Sequence, residues 1–213
     1  MQFYPKLQEY IQQQVLPQLE DLTMERKAIL ETAVEAIISG SQMSYTVDVM
    51  FICTHNSRRS QFGQIWTTVA ARHYQVEGLE THSGGTETTA FNPRALAAIK
   101  RAGFIINSSN EKVNPHHSVA YALGLPRLEC FSKVYSHPNL PKYDFVAILT
   151  CDQANESCPV IKGAHRRTAV MYKDPKVADD TPQEAEHYDE RCLQIAIEMF
   201  YMIKKLREAV NNS

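Results

Sequence analysis

Long apolar runs are missing from this 213-residue sequence. No stretch reaches the roughly 20 residues that a membrane-spanning helix needs, so no membrane is expected as a partner. The opening stretch MQFYPKLQEY is polar and lacks the basic-then-apolar order of a secretory signal. A cytoplasmic location is therefore expected. Charge of one sign is scarce too. Lys and Arg number 22 against 24 Asp and Glu, for a formal net charge of −2. No basic block invites nucleic acid, and no acidic run forms a solvated tail. Internal repeats and low-complexity segments are absent. So is the pattern G-x-x-x-x-G-K-[ST], which excludes that kind of nucleoside triphosphate site. Cysteine is sparse and odd in number: Cys53, Cys130, Cys151, Cys158 and Cys192. That count, in a chain of this size without a signal, argues against a disulfide framework. No C-x-x-C pair occurs, and His116-His117 are adjacent rather than spaced for one face of a helix. No metal site is expected.

What is present reads as strands alternating with helices. Residues 3 to about 40 are expected to be helical, with Pro5 and Pro17 as punctuation. From Thr23, an N-cap residue, Ile29, Leu30, Ala33, Val34, Ile37 and Ile38 recur at helical spacing, and Gly40 reads as the stop. This extension, residues 1–44, offers one apolar face, to be packed on the main domain or on a second copy in a homodimer. Residues 45–213 form the main domain. Val47 to Ile52 is short, apolar and β-branched, the pattern of a buried strand. A helix follows from about Ser60. Leu79 to Ser83 is a second strand, ended by Gly84-Gly85. Asn92-Pro93 caps a helix that Gly103 closes. Asp144 to Thr150 is another buried strand, and Thr168 to Tyr172 a further one. Thr181-Pro182-Gln183-Glu184 is a capping box for the last helix. The stretch from 104 to 142 carries short alternating pieces and reads as a hairpin insertion. Such alternation implies an α/β fold, a parallel sheet flanked by helices, in which ligands bind at the carboxyl ends of the strands. Cys53, Cys151 and Asp174 all fall just past such ends.

The segment Cys53-Thr54-His55-Asn56-Ser57-Arg58-Arg59-Ser60 lies between a strand and a helix. A loop wound there can turn successive amides inward to hold an anion, and the helix adds the positive end of its dipole. Both favour the thiolate of Cys53 over the thiol. Arg59 can grip two oxygens with its planar fork, and Ser60 can donate a hydrogen bond to the sulfur. Asn56 tolerates the left-handed backbone that the loop needs. Arg58 either adds positive potential or faces solvent, and solvent is favoured. Thr54, His55, Asn56, Ser57 and Arg58 thus make up the anion-binding loop. Cys151 and Cys158 are too far apart in sequence for a C-x-x-C motif. They form either a redox pair, if their backbones come within bonding reach, or two packed thiols. Cys130 and Cys192 read as core residues.

With these residues quoted, the chain from about 46 to 210 resembles the low-molecular-weight tyrosine phosphatase superfamily, and within it the thioredoxin-coupled arsenate reductases. Cys53 to Gln61 is similar to the family's anion loop, Cys151 and Cys158-Pro159 to the reductases' relay cysteines, and Asp174-Pro175 to the phosphatases' general acid. The resemblance implies a four-stranded parallel sheet in a three-layer sandwich. It also implies arsenate, phosphate or phosphotyrosine as substrate, no bound cofactor, and thioredoxin as electron donor for a reductase. The catalytic set it implies is Cys53, Arg59, Ser60, Asp174, Cys151 and Cys158. Gln64 departs from a glutamate that helps to bind potassium in some reductases, and no tyrosine follows Pro175. The N-terminal helices and the stretch near 107–135 have no counterpart in the family. Arsenate reduction is the leading expectation, phosphotyrosine hydrolysis the alternative, and a non-catalytic anion sensor the third.

Overall fold

The computed structural model describes residues 2–41, 46–151 and 160–211. Strands β1 (Val47–Cys53), β2 (Leu79–Gly85), β6 (Phe145–Leu149) and β7 (Ala164–Ala169) form a parallel sheet in the order β2-β1-β6-β7. The two central strands, β1 and β6, are buried along almost their whole length. This matches their largely apolar sequence, broken only by the half-buried Asp48, because side chains on both faces of a covered parallel sheet leave water. Between β2 and β6 the chain forms a second, antiparallel sheet: β3 (Ile105–Ser108), β4 (His117–Ala120) and β5 (Leu128–Cys130). The expected hairpin insertion is therefore a three-stranded sheet.

Helices α2 (Met24–Ser41) and α3 (Arg59–His73) lie against one face of the parallel sheet, α3 over β1 and β2, α2 over β6 and β7. Helix α4 (Pro93–Arg101) and the last helix α5 (Glu184–Asn211) complete that side. Val49, Phe51, Val146 and Ile148 face this layer, where Trp66 packs edge-on against Phe104, with ring centroids 5.1 Å apart. The Trp66 indole N–H donates to the Cys192 sulfur at 3.3 Å. Burial pushes the thiols of Cys130 and Cys192 up to about 12, which suits core residues. On the opposite face Met50, Ile52, Ala147 and Leu149 pack with Leu140 and Ile161.

The N-terminal segment opens with a short helix, α1 (Pro5–Tyr10), which widens into a π turn (Ile11–Val15) and tightens into a 3₁₀ turn (Leu16–Gln18). Pro17 has no N–H for a regular helical bond, which accounts for the break. Thr23 caps α2 by accepting from the Arg26 amide at 3.2 Å. Gly40 does not end that helix, which runs on to Ser41. Its small size instead admits Val47, whose Cγ1 would lie 3.2 Å from an added Cβ. The apolar face of these helices, including Leu7, Ile11, Leu30, Val34 and Ile37, is buried in the chain's own core. Phe3 also forms an antiparallel bridge to Ala122, so the extension meets the small sheet.

Two other elements differ from the pattern in the sequence. The strand expected at Thr168 to Tyr172 begins earlier, at Ala164. It is an edge strand whose His165, Arg166 and Arg167 are at least partly exposed, so its composition resembles a loop. At the start of α5, Thr181 turns its hydroxyl to the Ala178 carbonyl, and Glu184 reaches back to the Asp180 amide at 2.7 Å. The helix thus starts at Glu184, the last residue of the expected box rather than its second.

Gly63 on α3 sets the approach of that helix to the sheet. A Cβ there would lie 2.4 Å from Cδ1 of the fully buried Phe51. In an open helix Gly→Ala stabilises by about 1 kcal/mol, but overpacking a core costs about 1–3 kcal/mol. The clash dominates, because the Phe51 ring is enclosed. Gly63→Ala is expected to lower the unfolding free energy by about 1–2 kcal/mol, measured by urea denaturation.

Candidate active site

Cys53 closes β1, and Arg59 opens α3. The loop between them is fixed from outside. The Cys53, Thr54 and Ser57 carbonyls accept from the amides of Thr86, Glu87 and Asn92 at 3.2, 2.8 and 2.9 Å. The His55 carbonyl accepts from the Ser132 hydroxyl at 2.7 Å, and the Asn56 carbonyl from Gln61 Nε2 at 3.0 Å. The Arg58 carbonyl accepts the first helical bond, from Phe62. Every carbonyl from Cys53 to Arg58 therefore points outward to a donor. By contrast, the amides of His55, Asn56, Ser57 and Arg58 donate to no described residue. A peptide that turns its carbonyl outward turns its N–H inward, so these amides form an inward-facing nest of donors.

Asn56 makes this winding possible. Its φ is 46°, in the left-handed region that asparagine tolerates. Its side chain is held by three partners. Oδ1 accepts from the Lys133 amide at 3.1 Å and from Gln61 Nε2 at 3.2 Å, which fixes the amide orientation. Nδ2 then donates to Ser60 Oγ at 2.9 Å. With an incoming donor on its oxygen, Ser60 has its own proton free for the Cys53 sulfur, 3.1 Å away. Asn56, Ser60 and Gln61 are fully buried, so no water competes for this chain of bonds. Gly85, at the end of β2, lies close beside the loop. A Cβ there would stand 2.6 Å from the Thr54 carbonyl oxygen.

Arg59 reaches across to the segment after β7. Its Nη1 donates to the Tyr172 carbonyl at 2.9 Å and its Nη2 to Asp174 Oδ2 at 2.7 Å. Its Nε is buried with no partner among the described residues. The other oxygen of Asp174 accepts from the Lys176 amide at 3.0 Å, which caps the 3₁₀ turn Pro175–Ala178. Cys151, just past β6, is buried and packs against Cys53. Its sulfur is 3.5 Å from Thr54 Oγ1. The register of β1 and β6, which pairs Ile52 with Leu149, explains how both cysteines reach one place.

Arg58 does not face solvent, as its sequence position suggests. Its Nε donates to the Tyr188 hydroxyl at 3.0 Å, and its guanidinium lies near Asp174 and Asp179. Tyr188 in turn donates to Asp179 at 2.8 Å. A cleft of about 360 Å³ opens beside the loop, lined by His55, Ser57, Arg58, Asn92 and Lys176 among others. The His55 imidazole is the one aromatic ring among its described lining residues. Cys158 lies outside the described residues. No group of three or more His, Cys, Asp or Glu among the described residues is arranged to hold a metal ion. None of the described helices is long and apolar enough to cross a membrane.

No family model matches the chain. Among solved structures it is similar to a low-molecular-weight phosphotyrosine phosphatase from Vibrio cholerae. That likeness has a TM-score of 0.50 at 15% identity and covers 76% of this chain and 98% of that one. This is the low-molecular-weight phosphotyrosine phosphatase fold. In sequence, the chain is 28% identical over 136 residues to the arsenate reductase of Bacillus subtilis, covering 64% of this chain and 79% of that protein. It is also 28% identical over 127 residues to arsenate reductase 2 of Staphylococcus saprophyticus, covering 60% and 77%. On this phosphatase fold, the structure brings Cys53, Ser60, Arg59, Asp174 and Cys151 to one end of the sheet. Ser132 and Lys133, which follow β5 and hold the loop by hydrogen bonds, carry no sequence signal. They lie 77 residues from their partners His55 and Asn56. Burial lowers the Lys133 ammonium from the ordinary lysine range, and Nζ rests on the Phe131 carbonyl at 3.2 Å.

Proposed function

We propose that this chain is an arsenate reductase that uses Cys53 as nucleophile. One observation carries the reading: a second buried thiol, Cys151, packs directly on Cys53. Phosphoryl transfer has no use for that thiol, whereas reduction needs two sulfurs that can meet. Arsenate has the shape and charge of the guest that the nest and the free Arg59 Nε are built to hold.

The steps follow from these groups. The Cys53 thiolate attacks arsenic and forms an S–As bond, and an arsenic oxygen leaves as water after protonation, with Asp174 as the donor. The Cys151 thiolate then attacks the Cys53 sulfur. An S–S bond forms, the S–As bond breaks, and its electron pair stays on arsenic, which leaves as arsenite. Two thiols have lost two electrons, and As(V) has gained them. In the reading taken from the resemblance, Cys158 then attacks Cys151, freeing Cys53 and leaving a Cys151–Cys158 disulfide. The dithiol of thioredoxin reduces that bond.

A second reading, hydrolysis of a phosphate ester, rests on Asp174 at the mouth of the same loop, 2.7 Å from Arg59. The two readings separate in a paired assay. Arsenate is supplied with thioredoxin, thioredoxin reductase and NADPH, and p-nitrophenyl phosphate is supplied without them. Arsenate-dependent NADPH oxidation with matching arsenite is expected. Ester hydrolysis with no arsenite would reject the reductase and leave the phosphatase.

A further inference from the structure

The N-terminal segment reaches toward the candidate site through one side chain. Arg26 lies in the first turn of α2, and its guanidinium faces inward. Nε and Nη2 donate to the two carboxylate oxygens of Glu198 on α5, at 2.9 and 2.6 Å. Nη2 also donates to the Met171 carbonyl at 3.2 Å, and the guanidinium carbon lies 4.9 Å from the centre of the Tyr172 ring. The Glu198 side chain is 1% exposed, and Gln194 Nε2 satisfies it further at 3.0 Å.

The next residues along this segment belong to the cradle. Tyr172 gives its carbonyl to Arg59 Nη1, and Asp174 gives its carboxylate to Arg59 Nη2. Residues 171–174 are therefore clamped at one end by Arg26 and at the other by Arg59. A buried ion pair is a poor source of stability, since an apolar pair of similar volume often does as well. Arg26 provides what an apolar residue cannot: a donor to the Met171 carbonyl and a planar cation over Tyr172.

We propose that Arg26 is a positioning residue, holding the Met171–Asp174 segment so that Tyr172 and Asp174 aim the Arg59 guanidinium into the anion nest. This rests on the cradle's being an oxyanion site, as the function above requires. It gives the helical extension a share in substrate binding.

The test uses the full chain and reads anion affinity without turnover. Iodoacetamide alkylation of Cys53, followed by peptide mass, is measured against rising orthophosphate. The variant Arg26→Met/Glu198→Met replaces the pair by apolar side chains and leaves no lone buried charge. Its half-protecting orthophosphate concentration is expected to rise about tenfold, the scale of a slightly misplaced binding group. Its alkylation rate without orthophosphate should stay that of the wild type. A brace with no bearing on Arg59 would leave the half-protecting concentration unchanged, and that result overturns the proposal. A second variant, Arg26→Lys, keeps a cation on Glu198 and so guards against loss of the fold. It withdraws the planar group from Tyr172 and is expected to shift protection in the same direction by a smaller factor. Protection equal to wild type in this variant also overturns the proposal. If orthophosphate fails to protect even the wild type, the oxyanion reading itself falls, and this inference falls with it.

Discussion

Cys53→Ser is expected to lower both arsenate reduction and aryl phosphate hydrolysis by at least about 10⁴-fold, the scale of losing a covalent nucleophile. The cradle can stabilise a thiolate, but it cannot make an alkoxide. Ser60 presents a proton to position 53 and does not take one away, because Asn56 Nδ2 already donates to its oxygen. No described base stands where it could deprotonate a hydroxyl there. Guest binding should survive, since the nest amides and Arg59 are untouched. Titration calorimetry with orthophosphate is expected to give a dissociation constant within about threefold of wild type, less than 1 kcal/mol. Residual turnover within a hundredfold of wild type would remove Cys53 from the mechanism.

Cys151→Ser is expected to split the two activities. Arsenite formation over many turnovers should fall by more than about 10³-fold, because the sulfur that packs on Cys53 is no longer there to take it from arsenic. Hydrolysis of p-nitrophenyl phosphate should stay within about threefold, since serine nearly matches cysteine in volume and keeps a polar atom near Thr54 Oγ1. Intact mass of the variant after arsenate treatment should show an arsenic adduct on Cys53 in place of a disulfide. Arsenite production near the wild-type rate would reject the relay and leave Cys151 as a packed thiol.

The sequence displayed the centre of the fold more clearly than its margins. Val47–Ile52, apolar but for Asp48, and the wholly apolar Phe145–Leu149 have both faces covered, and each stands out as a buried strand. Ala164–Ala169 borders water, so the same backbone geometry carries His165, Arg166 and Arg167 and passes for a loop. The loop itself was legible for a local reason. Its needs, a left-handed Asn56 and a helix start at Arg59, are met by neighbouring residues. Arg58 was misread because its partners, Tyr188 and Asp179, come from more than a hundred residues away. The same distance hid Arg26, whose carboxylate partner follows 172 residues later. Local spacing announces chemistry built within one turn of chain, whereas a brace between distant elements appears only when they pack.

The pairing of Arg59 with Asp174 ties the opening of α3 to the segment after β7. The carboxylate supplies the counter-charge of a guanidinium that is mostly buried, so neither group stands alone in a dry setting. Neither can swing away without leaving a mostly buried charge alone, so the start of the helix and the end of the edge strand are yoked, and a shift of one carries the other.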